Sequence, residues 1–321
     1  MLDTMPDQLD WLSRLLQLVP VSGRVEHRCF FGAPWRLDQE PTAPGEIPYH
    51  VVLAGSATLD ASMDHPARWL HAGDILLLPH GAGHSLHDGS GAPPSTIRQR
   101  VGPSFTIDEN AGSGERLDML CGRFLMSPAH GRLIGSYFPA ILVVRTGAES
   151  AVGTLNSGEQ LARLIGLMRD ETVAERLGAH AMLTGLSAAL FTLALRFASE
   201  APEAPEGLLG LAAHPRLAPA IAALFNQPSH PWTLPELARL CNMSRATFIR
   251  QFQQRLGRSA ADLLGDIRMT VAGNELRRTS ASTGAVAEAA GYQSEAAFQR
   301  VFKQRMGLTP AQYRRHAQTS S

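Results

Sequence analysis

A chain of 321 residues with 44% apolar side chains has the size and composition of a folded protein of two or three domains, not of a disordered tail. Its formal net charge of zero hides a split: residues 1–214 hold 15 Lys and Arg against 23 Asp and Glu, whereas residues 215–321 hold 14 against 6, so only the C-terminal part is suited to a polyanion. The three well-separated cysteines, Cys29, Cys121 and Cys241, exclude both a secreted disulfide framework and a C-x-x-C metal motif.

The N-terminus, MLDTMPDQLDWLSRLLQLV, is acidic and amphipathic and lacks the basic start and apolar centre of a signal peptide, which points to the cytoplasm. Residues 24–126 break into short β-type runs such as Tyr49–Gly55 and Asp74–Pro79, separated by turn-rich pieces at 88–95 and 108–114, the pattern of an all-β barrel or sandwich. From Ser157 to Ser199 the spacing becomes helical, with Leu161, Leu164, Ile165 and Met168 on one stripe. The most apolar stretch, Met182–Phe197, is about 16 residues long with Thr, Ser and Gly inside; a membrane span needs roughly 20, so a buried helix is expected and no membrane partner. Residues 199–207, SEAPEAPEG, have nothing to bury and read as a linker. Beyond Leu208 the chain is helical, with breaks at Pro228, Pro231, Gly257 and Gly307. The expected fold class is α+β multidomain: a β-barrel domain over 1–150, a helical connector and dimerisation segment over 151–207, and an all-α domain with two helix-turn-helix units over 208–321.

The C-terminal reading rests on an internal repeat. LARLCNMSRATFIRQFQQRLG from Leu237 returns as VAEAAGYQSEAAFQRVFKQRMG from Val286, with Phe248 and Phe252 matched by Phe298 and Phe302. Each copy has a short helix with a small residue (Ala238, Ala287), a tight turn, a Ser at an N-cap (Ser244, Ser294) and a longer helix. The small residue lets two helices cross closely, and the Phe pair seats the second helix. With those Phe facing inward, the solvent face carries Arg245, Ile249 and Arg250 in one copy and Glu295, Gln299 and Arg300 in the other. Arg suits guanine, Gln adenine and Ile the thymine methyl. Arg255, Arg305, Lys303, Arg314 and Arg315 are expected on phosphates.

These motifs resemble the AraC/XylS family of bacterial transcription regulators, at W-T-L-x-x-L-A (Trp232–Ala238), M-S-R-A-T-F (Met243–Phe248), G-Y-Q-S-E-A-A-F (Gly291–Phe298) and G-L-T-P-A-Q-Y-R (Gly307–Arg314). The resemblance implies groove-facing positions at Ala246, Ile249 and Arg250 and at Glu295, Ala296, Gln299 and Arg300. It implies promoter DNA and RNA polymerase as partners, and activation rather than repression. Two departures stand out: Ala260 and Leu263 replace the family's Pro and aromatic, and Gly273 inside the linking helix weakens the expectation of a rigid rod.

Gly73–His84 fits the second cupin motif, G-x5-P-x-G-x2-H, which returns His84 toward a barrel interior. Metal-binding cupins add an H-x-H and a Glu from an earlier strand; here Pro48–Leu59 offers only His50. His50 and His84, with His80 or His87 beside them, are therefore candidates for contact with a ligand or metal, short of a full metal set, and no cofactor is assigned. Arg28–Leu37, Tyr49–Gly55 and His214–Leu217 resemble a branch of AraC-like regulators that respond to reactive chlorine through cysteine. That resemblance implies redox-sensing roles for Cys29 and Cys121, with a small organic effector in the barrel as the rival signal and a fused cupin enzyme as a third reading, which the missing ligands argue against. Arg24, His27 and Arg28 beside Cys29 suggest that Cys29 is the more reactive thiol, and Cys241 is expected to fill a core. The expected protein is a non-enzymatic regulator that dimerises through its connector.

Overall fold

The structure, a computed structural model, describes residues 9–60, 66–146, 156–174, 176–201 and 203–319. Asp10 caps the first helix, α1 (Trp11–Leu18), its carboxylate accepting from the Ser13 N–H at 2.9 Å. Strands follow: β1 (Ser22–Gly32), β2 (Arg36–Gln39), β3 (Glu46–Ala54), β4 (Ser56–Leu59), β5 (Arg68–His71), β6 (Asp74–Leu77), β7 (His84–His87), β8 (Ile97–Val101), β9 (Thr106–Asn110) and β10 (Arg116–Leu125). A short helix, α2 (Gly131–Tyr137), precedes β11 (Leu142–Arg145). The rest is helical: α3 (Ser157–Ala174), α4 (Ala179–Glu200), α5 (Leu208–Ala213), α6 (Ala218–Asn226), α7 (Leu234–Leu240), α8 (Arg245–Leu256), α9 (Ala260–Arg278), α10 (Thr283–Ala289), α11 (Glu295–Met306) and α12 (Pro310–Thr319).

These elements form two compact units. The β unit gathers Val21–Met126 and Pro139–Ala201. Its larger sheet has the order β11-β6-β3-β10-β1-β9-β8, and its smaller sheet β2-β7-β4-β5. Pairing is antiparallel except between β1 and β9. Alternation along the strands sends Phe31, Val52, Leu76, Leu117 and Met119 of the larger sheet against Ala57, Leu59, Leu70 and Leu86 of the smaller one, and these side chains fill the space between the sheets. Gly73 and Gly81 take φ of 90° and 65° in the turns around β6, a region that L side chains rarely adopt, so the motif's glycines shape the bend that returns the chain into β7 at His84.

The boundaries differ from those expected at 150 and 207. Helices α3 and α4 are no separate connector: an amphipathic helix must bury its apolar stripe, and that of α4, Leu183, Ser187, Leu190, Phe191, Ala194, Leu195 and Ala198, lies on the outer face of the larger sheet. Phe191 meets Phe124 with ring centroids 4.8 Å apart, and Ser187 Oγ is 3.1 Å from Tyr49 Oη. Among the described residues α4 is the one helix long and apolar enough to cross a membrane. Its opposite face is open, with Met182 51% exposed, so it is half-buried rather than buried outright.

The helical unit contains α1, Ser127–Phe138 with α2, and the chain after Ala201. Trp11 of α1 meets Phe225 at a tilt with ring centroids 6.4 Å apart, and Asn274 of α9 donates to the Leu18 carbonyl at 2.8 Å. Tyr137 of α2 donates to Asp266 Oδ2 at 2.6 Å, and His130 lies 2.7 Å from Asn274 Oδ1. Two pieces of the N-terminal 150 residues thus belong with the helices, where they bond polar side chains of α9. Gly273 is not a weak point in α9: a Cβ there would come within 3.1 Å of Tyr313 Oη, so the glycine makes room for α12 and the helix runs unbroken for 19 residues.

Candidate nucleic-acid interface and buried thiol site

The two copies of the repeat build the same turn. After α7, Asn242 adopts φ of 50° and the Met243 N–H returns to the Ala238 carbonyl at 2.9 Å; after α10, Gly291 adopts φ of 80° and the Tyr292 N–H returns to the Ala287 carbonyl at 2.9 Å. The carbonyl that closes each turn comes from the small residue, which is 3% and 2% exposed in the two copies. Ser244 accepts from the Thr247 N–H and Ser294 from the Ala297 N–H, caps worth about 1 kcal/mol each. The second copy carries one extra residue, Gln293, before its cap. Phe248 and Phe252 are buried with centroids 5.3 Å apart, and Phe298 and Phe302 with centroids 5.4 Å apart. Cys241 closes α7 as buried filler where Ala290 stands in the second copy, and burial raises its thiol pKa.

With the Phe pairs turned in, Arg245, Ala246, Ile249 and Arg250 on α8 and Glu295, Ala296, Gln299 and Arg300 on α11 are all exposed. Glu295 holds Gln299: the amide donates to the carboxylate at 2.8 Å, so the second helix offers a pre-paired acid and amide where the first offers unpaired Ile249 beside Arg250. Arg305, expected on phosphate, instead bridges to Asp266 and Asp262 of α9 and is only 25% exposed. Arg314 is also turned inward, donating to the Ala281 carbonyl. A helical wheel shows which face carries a charge, not whether an acid waits on the neighbouring helix. Sequence reasoning also missed Arg268, which donates to the Pro228 and His230 carbonyls at 2.7 and 2.9 Å and braces the loop before α7.

In the β unit, register assembles the second site. His27 on β1 and His50 on β3 both stand opposite Cys121 on β10, and Asp108 on β9 stands beside Cys29 on β1. Cys29 Sγ and Cys121 Sγ are 3.7 Å apart. His50 Nδ1 lies 3.1 Å from Cys121 Sγ, and His50 Nε2 lies 2.7 Å from Nε2 of His84, which enters from β7 on the smaller sheet. On the far side Asp108 Oδ2 is 3.9 Å from Cys29 Sγ and 2.9 Å from His27 Nδ1.

The charges fall differently from the order expected. The hydrogen bond from Cys29 and the charge of His50 pull the Cys121 thiol below its ordinary range, whereas the same bond, burial and the Asp108 carboxylate push Cys29 well up. Arg28 does not activate Cys29, because side chains adjacent on a strand point to opposite faces. Arg28 lies on the outer face, held by Asp118 at 2.9 Å and Thr172 at 2.8 Å, and Arg24 pairs with Glu26. His27 does share the inner face, but its pKa is raised by the bond to Asp108. Burial and the neighbouring His50 push His84 down to about 4.

The histidines do not suit a metal. Both nitrogens of His50 face protein partners, His87 is turned onto Asp60 at 2.8 Å with its other nitrogen accepting from the Gly89 N–H, and no group of three or more His, Cys, Asp or Glu among the described residues could hold an ion. The expected ligand or metal pair, His50 and His84, is thus brought together, but as a hydrogen-bonded dyad on a cysteine.

Two helix-turn-helix units with exposed reading faces, in the basic part of a chain whose other part is a two-sheet β unit, define a DNA-binding transcription regulator. Comparison with known proteins agrees: a cupin family model matches residues 10–200 and a helix-turn-helix domain model residues 237–316. An HTH-type transcriptional regulator of Haemophilus influenzae is 30% identical over 96% of this chain and 99% of its own. The RCS-specific HTH-type transcriptional activator RclR of Escherichia coli is 26% identical over 95% and 97%, and the HTH-type transcriptional regulator MtrA of Neisseria gonorrhoeae 27% over 96% and 98%. The chain belongs to the AraC-type helix-turn-helix transcriptional regulators with an N-terminal cupin domain.

Proposed function

We propose that this regulator is a cytoplasmic, non-enzymatic activator that reads promoter DNA through α8 and α11, recruits RNA polymerase, and is switched by a two-electron oxidant acting on Cys29 and Cys121. The observation that carries the signal is the buried pair of sulfurs 3.7 Å apart on adjacent strands, flanked by a histidine on one side and a carboxylate on the other. A disulfide needs about 2 Å between sulfurs, so oxidation has to draw the two side chains on β1 and β10 together and shift what packs on them. The packed interior between the sheets favours this reading over a small organic effector held there. The base readers are Arg245, Ala246, Ile249 and Arg250 in the first unit and Glu295, Ala296, Gln299 and Arg300 in the second, with Arg250 and Arg300 carrying the bidentate contacts.

Covalent continuity supplies a path for the signal. Strand β10, which carries Cys121, ends at Leu125, and the chain passes directly into Ser127–Phe138, whose Tyr137 and His130 are bonded to α9. That helix joins the two reading units, so strain on β10 biases the population of their binding-competent arrangement. The apolar open face of α4 with Leu167 and Val173 of α3 suits a homodimer contact.

The test is promoter binding and transcription with and without hypochlorite. Cys29→Ser and Cys121→Ser should each lose the response while Cys241→Ser keeps it. A full response that survives in both Cys29→Ser and Cys121→Ser sinks the redox reading.

A further inference from the structure

We propose that Cys121 is the attacking thiolate and Cys29 the resolving thiol, with His50 as the base that holds the Cys121 proton and His84 as the positioning residue that fixes the direction of that transfer. This rests on the oxidant reading above and assigns the chemistry within it. The sequence alone favoured the opposite order, with Cys29 attacking.

The hydrogen-bond chain fixes its own polarity. His84 Nδ1 lies 3.1 Å from the Ala82 carbonyl, which can only accept, so Nδ1 carries the hydrogen. With its pKa near 4, His84 is neutral at physiological pH, and its Nε2 is left with a lone pair. The 2.7 Å contact between the two Nε2 atoms then requires the hydrogen to come from His50. With Nε2–H of His50 committed in this way, its Nδ1, 3.1 Å from Cys121 Sγ, takes the thiol proton and becomes a donor to the thiolate. The second donor to that thiolate is Cys29. Cys29 has the opposite environment: it faces Asp108, and it is fully buried where Cys121 retains 5% of its surface.

The steps balance with hypochlorous acid as oxidant. The Cys121 thiolate attacks chlorine, the S–Cl bond forms as Cl–O breaks, and the leaving hydroxide takes the proton of the His50 imidazolium to become water. Cys29 sulfur then attacks Cys121 sulfur, chloride leaves, and the Cys29 proton passes to the Asp108 carboxylate, whose Oδ1 is buried without a hydrogen-bond partner. Two thiol sulfurs are oxidised to a disulfide and chlorine is reduced to chloride.

The experiment uses the full-length chain carrying Cys241→Ser, with thiolate ultraviolet absorbance titrated against pH and the rate of modification by methyl methanethiolsulfonate measured beside it. One thiolate should persist below neutral pH in this protein and in its Cys29→Ser derivative, and vanish in Cys121→Ser. His50→Gln should slow modification at neutral pH ~10-fold, by raising the thiol pKa, and recover at alkaline pH; a purely structural role would lower the rate at every pH. His84→Phe keeps His50 but removes the acceptor, and should move the profile in the same direction by less. Should His50→Gln fail to fold, His84→Phe carries the pH test. After stoichiometric hypochlorite, dimedone should label Cys121 in the Cys29→Ser protein. A low-pH thiolate that survives in Cys121→Ser, or an unchanged profile in folded histidine variants, overturns the assignment. Promoter output separates the two ideas: a thiolate at Cys121 with no response to hypochlorite defeats the oxidant reading and leaves this assignment standing, whereas a response with the thiolate at Cys29 does the reverse.

Discussion

The helical unit carries its candidate readers on the outside and the β unit keeps its candidate thiol site inside. In the helical unit the cluster around the second reading unit is apolar, built of Met269, Ala272, Leu276, Phe298, Phe302 and their neighbours, while Arg250 and Arg300 stand in solvent. In the β unit, by contrast, two cysteines, an aspartate and a histidine are all nine-tenths or more buried at the centre of the larger sheet. On the function proposed above, the difference follows from the partner. DNA is a macromolecule read by reaching out, so reading residues need no packing partners of their own. A small reagent is met by chemistry that must be tuned, and burial with close charges is how a protein moves a thiol from its ordinary range.

Breaking the contrast from the helical side gives the largest expected effect. Phe298→Ala empties the centre of the second reading unit and should cost about 3–5 kcal/mol of stability, while Cys29→Ala in the β unit removes only one small side chain. Denaturant unfolding checks this; a loss under about 1 kcal/mol for Phe298→Ala would mean that α11 does not depend on its Phe pair. Next in size, Arg250→Ala and Arg300→Ala should each weaken specific promoter binding by about 1–3 kcal/mol with the unfolding midpoint unchanged, since exposed readers contribute affinity and not stability. Binding to scrambled DNA measured alongside separates base reading from phosphate contact. The smallest effect is a pH dependence confined to the β unit. His84 is held near 4 in the folded state against 6.5 unfolded, so the stability it contributes is fully present above pH 6.5 and is lost as pH falls from there toward 4, by about 1–2 kcal/mol. His27, whose folded pKa is raised, works in the opposite direction. Unfolding of His84→Leu should therefore be less acid-sensitive than that of the parent, and equal sensitivity would remove His84 from the account.

A domain excision sharpens the comparison further, because the helical unit is not contiguous in sequence. A fragment beginning at Pro215 carries both reading units but lacks α1, α2 and α5, whose Leu208, Leu209 and Leu211 are buried and whose partners on α6, α8 and α9 would be laid open.

By itself, the sequence determined the helix-turn-helix units: the small residue, the turn, the Ser cap and the Phe pair lie within about twenty residues, so local spacing dictates which faces turn inward and which side chains remain exposed. It also marked the β pattern and the glycine-rich turn before His84. The placement of Arg305 and Arg314 against internal acceptors was hidden, because a charge on a helix meets its partner on another element. The thiol site was hidden more deeply. Cys29, His50, His84, Asp108 and Cys121 come from five strands, and only strand order and register bring β9, β1, β10 and β3 side by side and aim β7 at them. A one-residue slip in any of these strands would turn its member of the cluster to the other face, which is why tertiary pairing, and not the order of residues along the chain, decided which groups the two cysteines meet.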